Sequence, residues 1–131
     1  MALQMSDNVR NARLDSIEVT IGTAPTLEIR TGSPPANCAA ADSGSVLATL
    51  TLQSDWMAAA TGGTKAKAGT WSDASADAGG TAAHFRIKAG ATCHMQGTVG
   101  TSATDMIVDS VAFSAGQSFT ISSFTLTEAN G

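Results

Sequence analysis

From Pro25 to the end of the chain, strand-length segments recur at roughly ten-residue spacing, each closed by Gly, Pro, Asp or Ser. No other feature constrains the fold as strongly. Thr26–Thr31 puts Leu27 and Ile29 on one face and Glu28 and Arg30 on the other, the period-two pattern of a pleated strand. Ser45–Gln53 aligns Ala48, Leu50 and Leu52. Thr64–Trp71 alternates Lys65, Ala66, Lys67 and Ala68, with the lysines read as outward charges blunting a sheet edge. Thr81–Lys88 sets Ala83, Phe85 and Ile87 inward and His84, Arg86 and Lys88 outward. Thr92–Val99 returns across a turn at Ala89-Gly90-Ala91, and shorter apolar pieces follow at Met106–Ser110 and Ala112–Gly116. In Gln117–Thr127 the apolar phase moves from Phe119 and Ile121 to Phe124 and Leu126, the mark of a β-bulge or of a strand crossing between sheets. These runs are too short and too even for βαβ units. They predict an all-β chain, an antiparallel β-sandwich of jelly-roll-like form.

The first 24 residues read differently. Ser6 and Asp7 are good N-caps, Gly22 is a good stop, and Leu14, Ile17 and Ile21 share one helical face. Ile17, Val19 and Ile21 also alternate, but Arg10–Leu14 does not, which favours helix. Arg10, Arg13, Asp15 and Glu18 beside the stripe are expected to form a solvated face. The expected organisation is therefore an N-terminal arm or helix over 1–24 and one sandwich domain over 25–131.

Composition narrows the function. Ala, Gly, Ser and Thr make up 68 of 131 residues, and the large apolar side chains number 30, enough for one modest core. The net charge is −4 and the basic residues are scattered, which argues against a nucleic-acid partner. Neither a twenty-residue apolar run nor a signal-peptide core is present, so no membrane partner is expected.

Each group of chemically capable residues also has a plain structural reading. Cys38, His84, Cys93 and His94 are formally a zinc set. A turn at Ala89–Ala91 would pair Ile87 with Cys93 and Arg86 with His94, sending the neighbouring Cys93 and His94 to opposite faces, so no metal or other cofactor is expected. Cys38 and Cys93 are either a disulfide pinning the proline-containing loop Gly32–Gly44 or two free thiols, and a reducing cytoplasm favours the thiols. No GxSxG elbow accompanies the histidines, and Asp73/Asp77 and Asp105/Asp109 lie where carboxylates cap turns, so no enzyme is expected. Trp56 and Trp71 would serve a lectin as stacking platforms, but a chain this rich in alanine needs them in its core. Met1, Leu3, Met5 and Val9, with Arg10 and Arg13, form either a fraying tail or a contact for a neighbouring subunit.

Several stretches have a more particular character: RNARLDSIEVTIG, LEIRTGSPP, SVLATLTL, AGTWSDASADAGGTAAHFRIK, HMQGTVGTSATDM and FSAGQSFTISSFTLT. Together they resemble a family of small virion structural proteins of tailed bacteriophages and prophages. The resemblance implies a non-enzymatic particle component with no catalytic residues. Its expected role is a capsid decoration or cement protein, made in the host cytoplasm and placed on the capsid exterior. Its expected partners are the major capsid protein and, as a trimer, itself. A neck, collar or tail-fibre component and a glycan- or receptor-binding module are the other roles considered.

Overall fold

The computed structural model describes residues 3–128. One helix, α1 (Asp7–Ile21), precedes nine strands: β1 (Thr26–Thr31), β2 (Val46–Thr51), β3 (Thr64–Ala66), β4 (Trp71–Asp73), β5 (Gly80–Ala89), β6 (Thr92–Gly100), β7 (Met106–Val108), β8 (Ala112–Phe113) and β9 (Phe119–Thr127). Apart from this helix the described residues are all-β, as the alternation predicts. The strands form one mixed sheet in the order β2-β1-β5-β6-β7-β9-β3, with β4 also on β9 and β8 on β5. Every pairing is antiparallel except β6 with β7, which corrects the purely antiparallel expectation. Gly100 and Met106 are joined by a short excursion that brings β7 back in the direction of β6.

The sheet curls strongly. β5 and β9 stand three strand steps apart, which would be about 14 Å in a flat sheet. Yet the Phe85 and Phe124 rings meet edge to face with centroids 5.4 Å apart. Trp71 joins them, 5.7 Å from Phe124 and 6.1 Å from Trp56. Leu27, Ile29, Ile87 and Ile121 fill the space around these rings. The phase change in β9 is a bulge: Ile107 pairs with Ser123 and Val108 with Ile121, leaving Ser122 as the extra residue. That keeps both Ile121 and Phe124 buried.

The helix begins where Ser6 Oγ accepts from the Val9 N–H and ends at Gly22, whose N–H donates to Glu18 O. It buries Leu14 and Ile21. The supposed solvated face is also engaged. Asn11, Asp15 and Glu18 lie at i, i+4, i+7 and dock on the sheet through Lys65 and the backbone before it. Lys65, expected outside on an edge, is 2% exposed; its Nζ lies 2.7 Å from Asp15 Oδ1 and 2.9 Å from Glu18 Oε1. Burial alone would push this ammonium down, but its hydrogen bonds to the two carboxylates outweigh that and raise it above the ordinary lysine value. The Lys65 ammonium and the Ala60 N–H correspondingly hold Asp15 below its ordinary value.

Candidate functional site

The hairpin β5–β6 turns on Gly90 and Ala91, one residue tighter than expected, so Ala89 pairs with Thr92 and Lys88 with Cys93. A register shift then sets Ile87 opposite Met95 and Arg86 opposite Gln96, leaving His94 as the extra, exposed residue. Cys93 therefore does not pair with Ile87. It belongs to the end of the hairpin that carries Lys88.

This register and that of β1 place one polar set together. Glu28 lies opposite Arg86 and Arg30 opposite His84. Three of these residues sit on β5 at positions read as outward, yet His84, Arg86 and Lys88 are 0%, 2% and 8% exposed. Their cover is the segment Gly32–Gly44, which folds back over β1 and β5. Gly44 makes the return possible: its φ is +67°, and a Cβ there would collide with the Thr31 carbonyl.

Asp42 is the centre of the contact. Its Oδ1 meets Arg86 Nη1 at 2.6 Å, and its Oδ2 meets Lys88 Nζ at 2.6 Å and Arg30 Nη2 at 3.2 Å. Glu28 Oε1 completes the cluster, 2.9 Å from Arg30 Nη2 and 3.1 Å from Lys88 Nζ. Hydrogen bonds from Lys88 and then Arg86 hold the Asp42 carboxyl down to about 2. Arg86 Nη2 also donates to the carbonyls of Asn37 and Ala40, and Gln96 Nε2 donates to the Pro35 carbonyl at 2.7 Å. His84 Nδ1 lies 2.7 Å from the Gly32 carbonyl, so Nδ1 carries the proton. Its Nε2 is buried without a hydrogen-bond partner among the described residues. Cys38, in the covering segment, is joined to Cys93 in a disulfide with its Cα atoms 5.2 Å apart. In the chain-entropy picture a closed loop of this length restricts the unfolded state by about 4 kcal/mol.

Chemically this arrangement is a clamp. Both Asp42 oxygens are taken by cations, and Arg86 is occupied by Asp42, Gln96 and loop carbonyls. Neither presents an open acid, base or anion seat. The other groups singled out from the sequence are dispersed. His94 lies beside α1, near Ser16, Ile17 and Thr20. Asp73 caps the N–H of Ser75, Asp77 accepts from the Thr49 hydroxyl, Asp105 accepts from the Thr98 N–H, and Asp109 accepts from the Thr120 N–H. Among the described residues no three His, Cys, Asp or Glu side chains gather as a metal set. Trp56 and Trp71 are buried and donate their indole N–H groups to the carbonyls of Gly22 and Ala68, which leaves neither as a stacking platform. No described helix is long and apolar enough to cross a membrane.

The N-terminal contact residues divide. Met1 lies outside the described residues. Arg10 turns inward, pairing with Asp7 and donating to the Glu128 carbonyl, while Arg13 pairs with Glu128 and donates to Met5 Sδ. Leu3 and Val9 stand out at 84% and 47% exposure, together with Val19 at 80%. Val19 had no place in the sequence-based contact set, although its helical position outside the Leu14–Ile17–Ile21 stripe was the available signal. Beside it, a shallow groove of about 510 Å³ runs between the end of α1 and Ser54–Asp55.

No protein-family model, curated protein or solved structure matches this chain. The geometry and the sequence resemblance therefore carry the functional argument.

Proposed function

We propose that this protein is a non-enzymatic structural component of a tailed-phage particle, a capsid decoration or cement protein that docks as a trimer on the major capsid protein at the capsid exterior. The observation that carries the reading is the exposed apolar set Leu3, Val9 and Val19, presented at and before a helix that is itself pinned to the sheet by Lys65. Val9 and Val19 sit on that firmly held helix, and apolar groups on such an element bind without a large ordering cost. Many weakly bound copies then add up through avidity on a repeating shell. Within the same reading the curled sheet is a jelly-roll-like sandwich, its two halves facing each other across Trp56, Trp71, Phe85 and Phe124.

The test is attachment. Purified protein is mixed with phage shells that lack it, and bound copies are counted after sedimentation and located in an electron-microscopy map. The combined variant Leu3→Asp, Val9→Asp, Val19→Asp should keep its circular dichroism and lose about tenfold or more in occupancy. Wild-type occupancy in that variant would remove the N-terminal face from the interface. Density at the neck, collar or fibre would move the role away from the capsid.

A further inference from the structure

Cys38 and Cys93 stand at the edge of the clamp, and none of the clamp's contacts runs through their sulfurs. Arg86, Lys88, Gln96 and His84 hold the covering segment at Gly32, Pro35, Asn37, Ala40 and Asp42 through contacts in which no sulfur takes part. These contacts seat the segment that carries Cys38 over the end of the β5–β6 hairpin. Both cysteines are only half-buried. They line an open depression of about 340 Å³ together with Ala40, Asp42, Arg86 and Thr92.

We propose that Cys38 and Cys93 form a solvent-addressable redox lock, closed by exchange with a low-molecular-weight disulfide on a loop that the Asp42 cluster has already seated. In the first step one cysteine thiolate attacks a sulfur of oxidised glutathione. A mixed disulfide forms and one glutathione thiolate leaves. In the second step the other cysteine thiolate attacks the protein sulfur of that mixed disulfide, forming the Cys38–Cys93 bond and releasing the second glutathione. The two electrons from the cysteines end on the two glutathione molecules, and the two thiol protons go with them. Reduction by a dithiol reverses the sequence and leaves the fold intact. The inference is independent of the virion role.

Wild-type protein decides the matter. With dithiothreitol and no denaturant, both cysteines should become alkylatable by mass spectrometry while the near-ultraviolet circular dichroism persists. Oxidised glutathione should then close the bond again. Asp42→Asn should slow that closure about tenfold, because the loop no longer holds Cys38 at high effective concentration. Gln96→Ala, which removes the Pro35 contact and the acceptor of two Arg86 N–H groups but leaves Asp42 in place, should slow it about threefold and serves if Asp42→Asn does not fold. Cys38→Ser should stop at a stable glutathione adduct on Cys93. A disulfide that resists dithiothreitol until denaturant is added would overturn the proposal. So would unfolding on reduction, or closure in the folded loop variants as fast as in wild type.

Discussion

β5 is buried on both faces, and the two faces are buried by opposite means. On one, Phe85 and Ile87 pack against Leu27, Ile29 and Phe124, and the gain is apolar area removed from water. On the other, Arg86 and Lys88 are removed from water, and the loss is offset by Asp42, Glu28 and loop carbonyls. The apolar face is governed by side-chain volume and shape. The charged face is tied to its partners, because an ion stripped of water and left alone is strongly destabilising. A strand of alternating apolar and charged residues is thus not automatically half-exposed; a loop that brings an acidic residue and its carbonyls, with a second acid on the neighbouring strand, can turn its wet side into a second core.

The contrast can be broken one face at a time. The largest effect is expected from Phe85→Ala, which empties the junction of both sheet halves; it should lower the unfolding free energy by about 4 kcal/mol in urea titration. Asp42→Asn follows at about 2 kcal/mol, the screened charge of a partly exposed carboxylate plus a lost acceptor for Arg86 or Lys88. Here the two faces should separate in kind. A double-mutant cycle of Asp42→Asn with Lys88→Met should give a coupling of about 1–2 kcal/mol, whereas Phe85→Ala with Lys88→Met should be near additive. A result additive in both cycles would mean that the charged face is mere cover. Lys65→Met is expected to cost about 2 kcal/mol by stranding Asp15 and Glu18, and to raise hydrogen exchange in α1 before the strands.

The smallest effect concerns pH. Asp42 is held from its ordinary 3.8 down to about 2 in the folded chain. Its contribution is therefore complete above pH 4 and fades as the pH falls through 2. Because Asp42 keeps a third of its side chain in solvent, screening leaves roughly 1 kcal/mol of the effect. Thermal melts should show this slope between pH 4 and 2 in wild type and a shallower one in Asp42→Asn. Equal slopes would place the acid sensitivity at other carboxylates, Asp15 among them.

What could be read without coordinates was whatever depends on a residue and its close neighbours. The helix from Asp7 follows from the Ser6 cap, the Gly22 stop and the Leu14–Ile17–Ile21 stripe. The bulge in β9 followed from the phase change between Ile121 and Phe124. Misreadings arose where a distant segment changes a side chain's surroundings. Lys65 looked like an edge charge because nothing local announces that Asp15 and Glu18 lie across it, fifty and forty-seven residues earlier. The hairpin register slipped because Gly90 and Ala91 suffice for the turn and the bulge at His94 has no signature in the sequence.

The sequence by itself determined the helix, the aromatic core and most of the strands, since alternation, capping and the scarcity of large apolar side chains act locally or through total volume; Thr64–Trp71, read as one strand, is in fact broken into β3 (Thr64–Ala66) and β4 (Trp71–Asp73). Only the tertiary structure decided that His84, Arg86 and Lys88 lie inside, that Asp42 and Cys38 belong to them, and that Leu3, Val9 and Val19 do not. The physical reason is that a charge is stable in the interior or in water alike, provided its partners are there. Which of the two it occupies depends on how the whole chain closes over it.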